Sequence, residues 1–259
     1  MRIRFRNLCA SLTALALVLA PVPASAETGQ SGFVALRSID PSIVQEIRYT
    51  TRHNFVGVPI DGYLEPTCLL TKQAAQALRT VQHRVRPLGL TLKVYDCYRP
   101  QRAVDHFVRW AEDLADTTMK AEFYPQVDKT RLFLDGYIAA RSGHSRGSTL
   151  DVTLVRLPSA PQRPYVPGET LTPCYAPVGV RFPDNTVDMG TGYDCFDTLS
   201  HTADPRITGV ARQNRDLLVN AMNAAGFNNL AEEWWHFTLR GEPFPDTYFD
   251  FPVARSSVG

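Results

Sequence analysis

Two segments about 80 residues apart, Ser142-Gly-His-Ser-Arg-Gly-Ser-Thr-Leu-Asp151 and Glu233-Trp-Trp-His236, carry two imidazoles and a carboxylate suited to one divalent metal. His144, Asp151 and His236 can share a cation only if the fold brings both segments to a single point. That requirement constrains the chain more than any feature of its composition. A catalytic zinc takes three protein ligands, keeps a fourth position open for water, and needs a base close by. Glu233 stands three residues before the last of the three ligands, so every part of such a centre is present. The chain reads as a metal-dependent hydrolase.

His144 and Asp151 lie seven residues apart with Gly143 and Gly147 between or beside them, and a glycine turn can fold both side chains toward one point. Taken singly, His144 reads as a turn cap and Asp151 as a strand end. Together with a distant Glu-x-x-His they read as ligands. On a helix, Glu233 and His236 would share a face; on a regular strand they would point to opposite faces. Because the stretch from Trp234 to Leu239 has the aromatic and threonine content of a strand, Glu233 is expected just before it. There, on an incoming loop or bulge, it can lean toward the open metal position. Glu232 is expected to be a solvated neighbour, and Trp234 and Trp235 to pack around the site.

Arg99, in Tyr95-Asp-Cys-Tyr-Arg-Pro100, follows a strand-like run and precedes a proline-started helix. A guanidinium there suits a substrate carboxylate or a developing oxyanion; the alternative is a surface ion pair. His53, His83, His106 and His201 have no ligand-like neighbours and read as structural or exposed, with His201 the one candidate to line the pocket.

Arg2, Arg4 and Arg6 precede an apolar run from Leu8 to Ala20, and Pro21-Val-Pro-Ala-Ser-Ala26 ends in an A-x-A pattern. This reads as a signal peptide, residues 1–26, cleaved after Ala26 rather than retained as a membrane anchor. The remaining residues 27–259 make one domain. Its 24 basic residues face 26 acidic ones, a net charge of −2 that gives no reason to expect nucleic acid. An exported chain, periplasmic or secreted, is expected. Cys68, Cys97, Cys174 and Cys195 then favour two disulfides. Of the three pairings, Cys68–Cys97 and Cys174–Cys195 are preferred because each closes a short loop. No C-x-x-C spacing suggests a cysteine-held zinc.

Thr71 reads as the N-cap of a helix over Lys72 to Arg86, with Ala75, Leu78, Val81 and Val85 on its apolar side. Pro100 begins a second helix with Ala103, Phe107 and Trp110, and Ile207 to Ala225 a third. Leu90 to Tyr95 alternates like a half-buried strand, Leu150 to Leu157 is strand-like, and Pro158 to Pro183 reads as an extended loop. Strands and helices lack regular βαβ spacing. The expected fold class is α+β, a single domain with a mostly antiparallel central sheet and packed helices.

Ser142-x-His-Ser-Arg-Gly-Ser-x-x-Asp151, Glu233-Trp-Trp-His236, Asp96-x-Tyr-Arg-Pro100 and Met189-Gly-x-x-x-Asp194 together resemble the D-alanyl-D-alanine dipeptidases, zinc enzymes of the vancomycin-resistance type. The similarity runs from about Ile47 to Pro252. It implies a fold shared with D-alanyl-D-alanine carboxypeptidases and the amino-terminal hedgehog domain. It also implies one zinc per chain on His144, Asp151 and His236, Glu233 as general base and then acid, and Arg99 stabilising the transition state. By the same resemblance, Asp194 holds the dipeptide's free amino group, while Ser142 and Tyr49 contact substrate. Beyond the compact members stand the leader, the Pro158–Pro183 loop and the Cys174/Cys195 pair.

The expected partner is therefore a small dipeptide, with no nucleic acid and no stable membrane anchor once the leader is cut. Two alternatives accompany this reading. A D,D-carboxypeptidase acting on peptidoglycan peptides would have no need of an amino-group holder at Asp194, and a catalytically silent wall-binding module would have no use for Glu233. A glycosidase built on Asp151 and Glu233 would leave both histidines without a role.

Overall fold

The computed structural model describes residues 30–258; the expected signal peptide lies outside them. In chain order the elements are β1 (Phe33–Ala35), α1 (Leu36–Ile39), β2 (Val44–Gln45), β3 (Leu69–Thr71), α2 (Lys72–Val85), β4 (Leu90–Asp96), α3 (Gln101–Glu112), α4 (Lys120–Phe123), β5 (Thr149–Arg156), α5 (Gly209–Asn223), β6 (Phe227–Asn229) and β7 (His236–Leu239). Five strands form the central sheet in the order β2-β4-β5-β7-β6, and only the β2–β4 pair is parallel. β1 and β3 make a separate antiparallel pair. The architecture is α+β with a mostly antiparallel sheet, as expected.

The long helices form where the sequence places them. The Thr71 side chain accepts from the Ala74 amide at 3.4 Å and caps α2, whose Ala75, Leu78, Val81 and Val85 are all buried. Pro100 sits at the cap of α3, where its missing N–H costs nothing, and Ala103, Phe107 and Trp110 are buried. Leu92, Val94, Leu150, Val152, Leu154 and Phe237 from the sheet join Leu78, Val81, Leu218 and Met222 from α2 and α5 in one apolar cluster. This core makes the sheet a rigid platform for its own polar edge.

Two expectations are revised. β4 is buried at every residue rather than half-exposed. Its Lys93 is neutralised by Glu46 and Asp184, with Asn185 Oδ1 at 2.9 Å, so an alternating pattern here reports two covered faces. β7 begins at His236, two residues later than its aromatic content suggested, and Trp234 and Trp235 belong to the preceding turn.

Both preferred disulfides are present, Cys68–Cys97 and Cys174–Cys195. The first ties the residue before β3 to the residue after β4. The segment from Pro158 to Pro183 is extended and irregular as expected, and just beyond it Asp184 anchors the chain to the sheet by accepting from Tyr95 Oη at 2.7 Å and Arg48 Nη2 at 2.8 Å.

Candidate metal centre

The site is a row of cross-strand neighbours. Asp96 at the end of β4 pairs with Asp151 on β5, and Asp151 pairs with His236 at the start of β7. The β4–β5 register shifts between Val94 and Asp96, a bulge of the kind that re-aims side chains beside functional sites. Directly opposed residues on antiparallel strands share a face, so Asp151 and His236 project together.

His144 arrives from the short helical turn Gly143–Arg146 just before β5, where the Ser142 hydroxyl accepts from the His144 amide at 3.3 Å. The turn closes through Gly147, whose φ of +82° is left-handed and whose missing Cβ would lie 2.1 Å from the Phe33 ring. Only glycine satisfies both conditions. His144 Nδ1 donates to the Cys97 carbonyl at 2.7 Å, which leaves Nε2 as a lone-pair donor aimed inward.

His144 Nε2, His236 Nδ1 and Asp151 Oδ1 form a nearly equilateral triangle with edges of 3.2, 3.3 and 3.3 Å. A tetrahedral zinc with ligands about 2.0–2.1 Å away needs donors roughly 3.3–3.4 Å apart, so the triangle fits. Asp151 Oδ1 is buried without a hydrogen-bond partner, an orphaned acceptor that a cation would satisfy. Burial disfavours a charged His236 ring, yet the Asp151 and Glu233 carboxylates hold it up at about 9.

Glu233 sits in the turn before β7, as expected, with Oε2 3.3 Å from His236 Nδ1 and its side chain about a quarter exposed. Its neighbour Glu232 is solvated. Arg99 donates through Nε to Asp96 Oδ2 at 2.9 Å and places Nη2 3.8 Å from Asp151 Oδ2. Its guanidinium lies over the rings of Tyr49 and Phe107, 5.1 Å from each centroid, so it belongs to the cleft and not to a surface ion pair.

Tyr49 donates to Asp194 Oδ2 at 2.9 Å. Asp194 is buried and takes a left-handed backbone, φ +55°, which turns its carboxyl into the cleft. Burial, reinforced by the Asp151 charge, pushes the Asp194 carboxyl well above the ordinary range. Tyr49, Arg99, Ser142, Asp194, Glu233 and Trp235 line one cavity of about 240 Å³ together with the triad. That is smaller than the roughly 300–1,000 Å³ typical of drug-sized ligands.

All eight residues singled out from the sequence thus meet in one cleft. His201 faces an adjoining hollow beyond Glu233 and not the metal cleft. His53 is buried elsewhere, between Arg48 Nη1 and Glu122 Oε1 at 2.8 Å each. Sequence reasoning gave no role to Asp96, Tyr63 or Tyr193. Asp96 orients Arg99, is steadied by Tyr63 Oη at 2.6 Å, and lies 3.4 Å from His144 Nδ1. The signal available was the three-residue spacing between Asp96 and Arg99.

A family profile described as D-ala-D-ala dipeptidase matches residues 29–160 and 181–254. The unmatched residues between fall in the proline-rich loop. The D-alanyl-D-alanine dipeptidase of Streptomyces coelicolor is 40% identical over 227 residues, covering 88% of this chain and 100% of that one. The enzyme of the same name from Enterococcus faecalis is 37% identical, covering 87% of this chain and 100% of the relative. That from Escherichia coli K12 is 29% identical over 80% of this chain and 83% of its own. Among solved structures, the zinc-complexed vancomycin-resistance D,D-pentapeptidase VanY aligns over 69% of this chain and 77% of its own, with 14% identity and a TM-score of 0.36.

Proposed function

Since the chain belongs to the D-ala-D-ala dipeptidase family, we propose that it hydrolyses D-alanyl-D-alanine, or a related D-amino-acid dipeptide, with one zinc held by His144, Asp151 and His236. The observation that carries this reading is the triangle of donor atoms around the orphaned Asp151 Oδ1, with Glu233 beside it. Bound zinc would supply Lewis acidity to the scissile carbonyl and acidity to the attacking water.

The chain's own residues do the rest. Glu233, ahead of the strand and partly solvated, takes the proton from water and returns it to the leaving amine. Arg99, pinned by Asp96, presents its free guanidinium nitrogens to the oxyanion that forms at the carbonyl. Asp194 accepts the substrate's α-ammonium, and Tyr49 holds that carboxylate in place. An ammonium arriving there replaces the proton that burial favours, so the cleft is matched to a free amino terminus. Ser142 lines the same cavity as a further polar contact. Trp235 walls the cleft and strengthens each of these interactions by excluding water.

A buried acidic end wall at Asp194 favours a dipeptidase over a D,D-carboxypeptidase, because a free ammonium can displace its proton and form an ion pair there, whereas an acylated amino terminus cannot. Intact Glu233 and Arg99 argue against a silent wall-binding module. The two disulfides, together with the leader read from the sequence, support export to an oxidising compartment as a cleaved 27–259 domain.

The test is an assay of the purified protein against all four Ala-Ala stereoisomers and an N-acetylated D-Ala-D-Ala tripeptide, each with and without chelator. Chelator-sensitive cleavage of the D,D dipeptide alone is expected. Preference for the acetylated tripeptide would establish the carboxypeptidase instead.

A further inference from the structure

The two oxygens of Asp151 have different surroundings. Oδ1 faces both imidazoles, whereas Oδ2 lies 2.9 Å from the Tyr193 hydroxyl and 3.8 Å from Arg99 Nη2. Among the described residues outside the three proposed ligands, Tyr193 is therefore the one side chain that hydrogen-bonds this carboxylate. We infer that Tyr193 is a positioning residue for the metal: its hydroxyl takes up Asp151 Oδ2, sets the angle of the carboxylate, and leaves Oδ1 alone to face the cation. The inference rests on the reading of His144, Asp151 and His236 as metal ligands.

The need for such a residue follows from the carboxylate's own torsion. β5 fixes the Asp151 backbone, but rotation of a carboxylate about its last bond is soft. A ligand oxygen must be held more tightly than that, and outer partners commonly do so. Tyr193 is suited to the task because it is packed on two sides and its backbone is tethered. Its ring stacks on Tyr95 at 4.3 Å and 10°, and meets Trp235 edge-on at 5.5 Å and 77°. Its backbone is held on both sides: the Gly192 amide donates to the Cys174 carbonyl at 2.8 Å, and Cys195 is joined to Cys174 by the disulfide.

The hydroxyl count separates this task from substrate binding. Tyr49 and Tyr193 each own one hydrogen, and their oxygens are 3.4 Å apart. Tyr49 donates its hydrogen to Asp194 at 2.9 Å, and Tyr193 donates its own to Asp151 at 2.9 Å. Two adjacent tyrosines thus serve two different carboxylates, one at the metal and one at the amino-terminal end of the cleft.

The experiment measures the zinc dissociation constant of the full chain by competition with a chromophoric chelator, for the unmodified protein, Tyr193→Phe and Tyr49→Phe. Tyr193→Phe keeps the aromatic contacts and is expected to weaken zinc about 10–100-fold, with Tyr49→Phe matching the unmodified protein. In the cobalt-substituted Tyr193→Phe protein, visible absorption should fall as the freed Oδ2 joins the coordination shell. An unchanged zinc constant in Tyr193→Phe overturns the inference. Absence of zinc binding by the unmodified protein overturns the ligand assignment itself. If the near-ultraviolet circular dichroism shows Tyr193→Phe misfolded, Tyr193→Met removes the same donor with a more adaptable side chain and is read in the same way.

Discussion

Asp151 and His236 are directly opposed across β5 and β7, and the two atoms that meet, Oδ1 and Nδ1, are 3.3 Å apart. The pairing register of two strands thus fixes two of the three donors, and His144 closes the triangle from the turn that leads into β5. Strand register is among the most rigid features a protein can offer. A centre built on it needs little rearrangement to take up metal.

Replacing His144 tests the donor set. His144→Ala should abolish stoichiometric zinc binding, measured by elemental analysis of the purified protein. In the unmodified protein, zinc at about 1,000 times its dissociation constant should add roughly 4 kcal/mol of stability, and chelator should remove it. Undiminished zinc content in His144→Ala would refute the ligand assignment.

Glu233 makes a different demand. Glu233→Gln keeps the volume of the side chain and removes the base, so kcat should fall by a factor on the order of 10²–10⁴ while zinc content stays at one per chain. A parallel loss of zinc would make Glu233 a ligand instead.

Asp194 carries a stability cost that the proposed ammonium contact accounts for. Its folded-state carboxyl is held well above the ordinary value by burial and by the Asp151 charge. A carboxyl raised in this way stabilises the fold at low pH relative to high pH, and that contribution is lost as pH rises above the unfolded value. Asp194→Asn should therefore raise the melting temperature of metal-free protein at neutral pH, by on the order of a few degrees, and less at pH 4. The same variant should raise KM for a dipeptide, since its ammonium loses a carboxylate. Scanning calorimetry at the two pH values checks the first expectation, and steady-state kinetics the second. Equal melting shifts at both pH values would refute the electrostatic account.

The Cys68–Cys97 bridge closes a loop of 29 residues beside the carbonyl that orients His144. Loop-closure entropy puts its contribution at roughly 3.5 kcal/mol. The Cys68→Ala/Cys97→Ala protein should melt about 10 °C lower, on the scale of 2–4 °C per kcal/mol for a domain of this size. Zinc affinity should weaken with it as the Cys97 carbonyl loses its tether. A melting temperature within error of the unmodified protein would show the bridge to be dispensable.

The long elements were legible locally. Thr71, the spacing of Ala75, Leu78, Val81 and Val85, and the position of Pro100 define α2 and α3 from residues within a few positions of one another. β1, β2 and β6 span two or three residues each, too few for a periodic signal. The alternation in β4 suggested an exposed face because Lys93 is polar. Its partners Glu46 and Asp184 are remote in sequence, so the burial became visible only in the fold.

From the sequence by itself came the chemical inventory: two imidazoles, an aspartate, a glutamate outside the ligand set, an arginine after a strand, and two glycines flanking His144. Tertiary structure alone decided the triangle's edges, the orphaned oxygen of Asp151, the anchoring of Arg99 by Asp96, and the separate carboxylates to which Tyr49 and Tyr193 donate. The physical reason is one of range. Helix periodicity and caps are interactions between near neighbours in the chain, while a metal centre depends on register and bulges that join strands far apart in it.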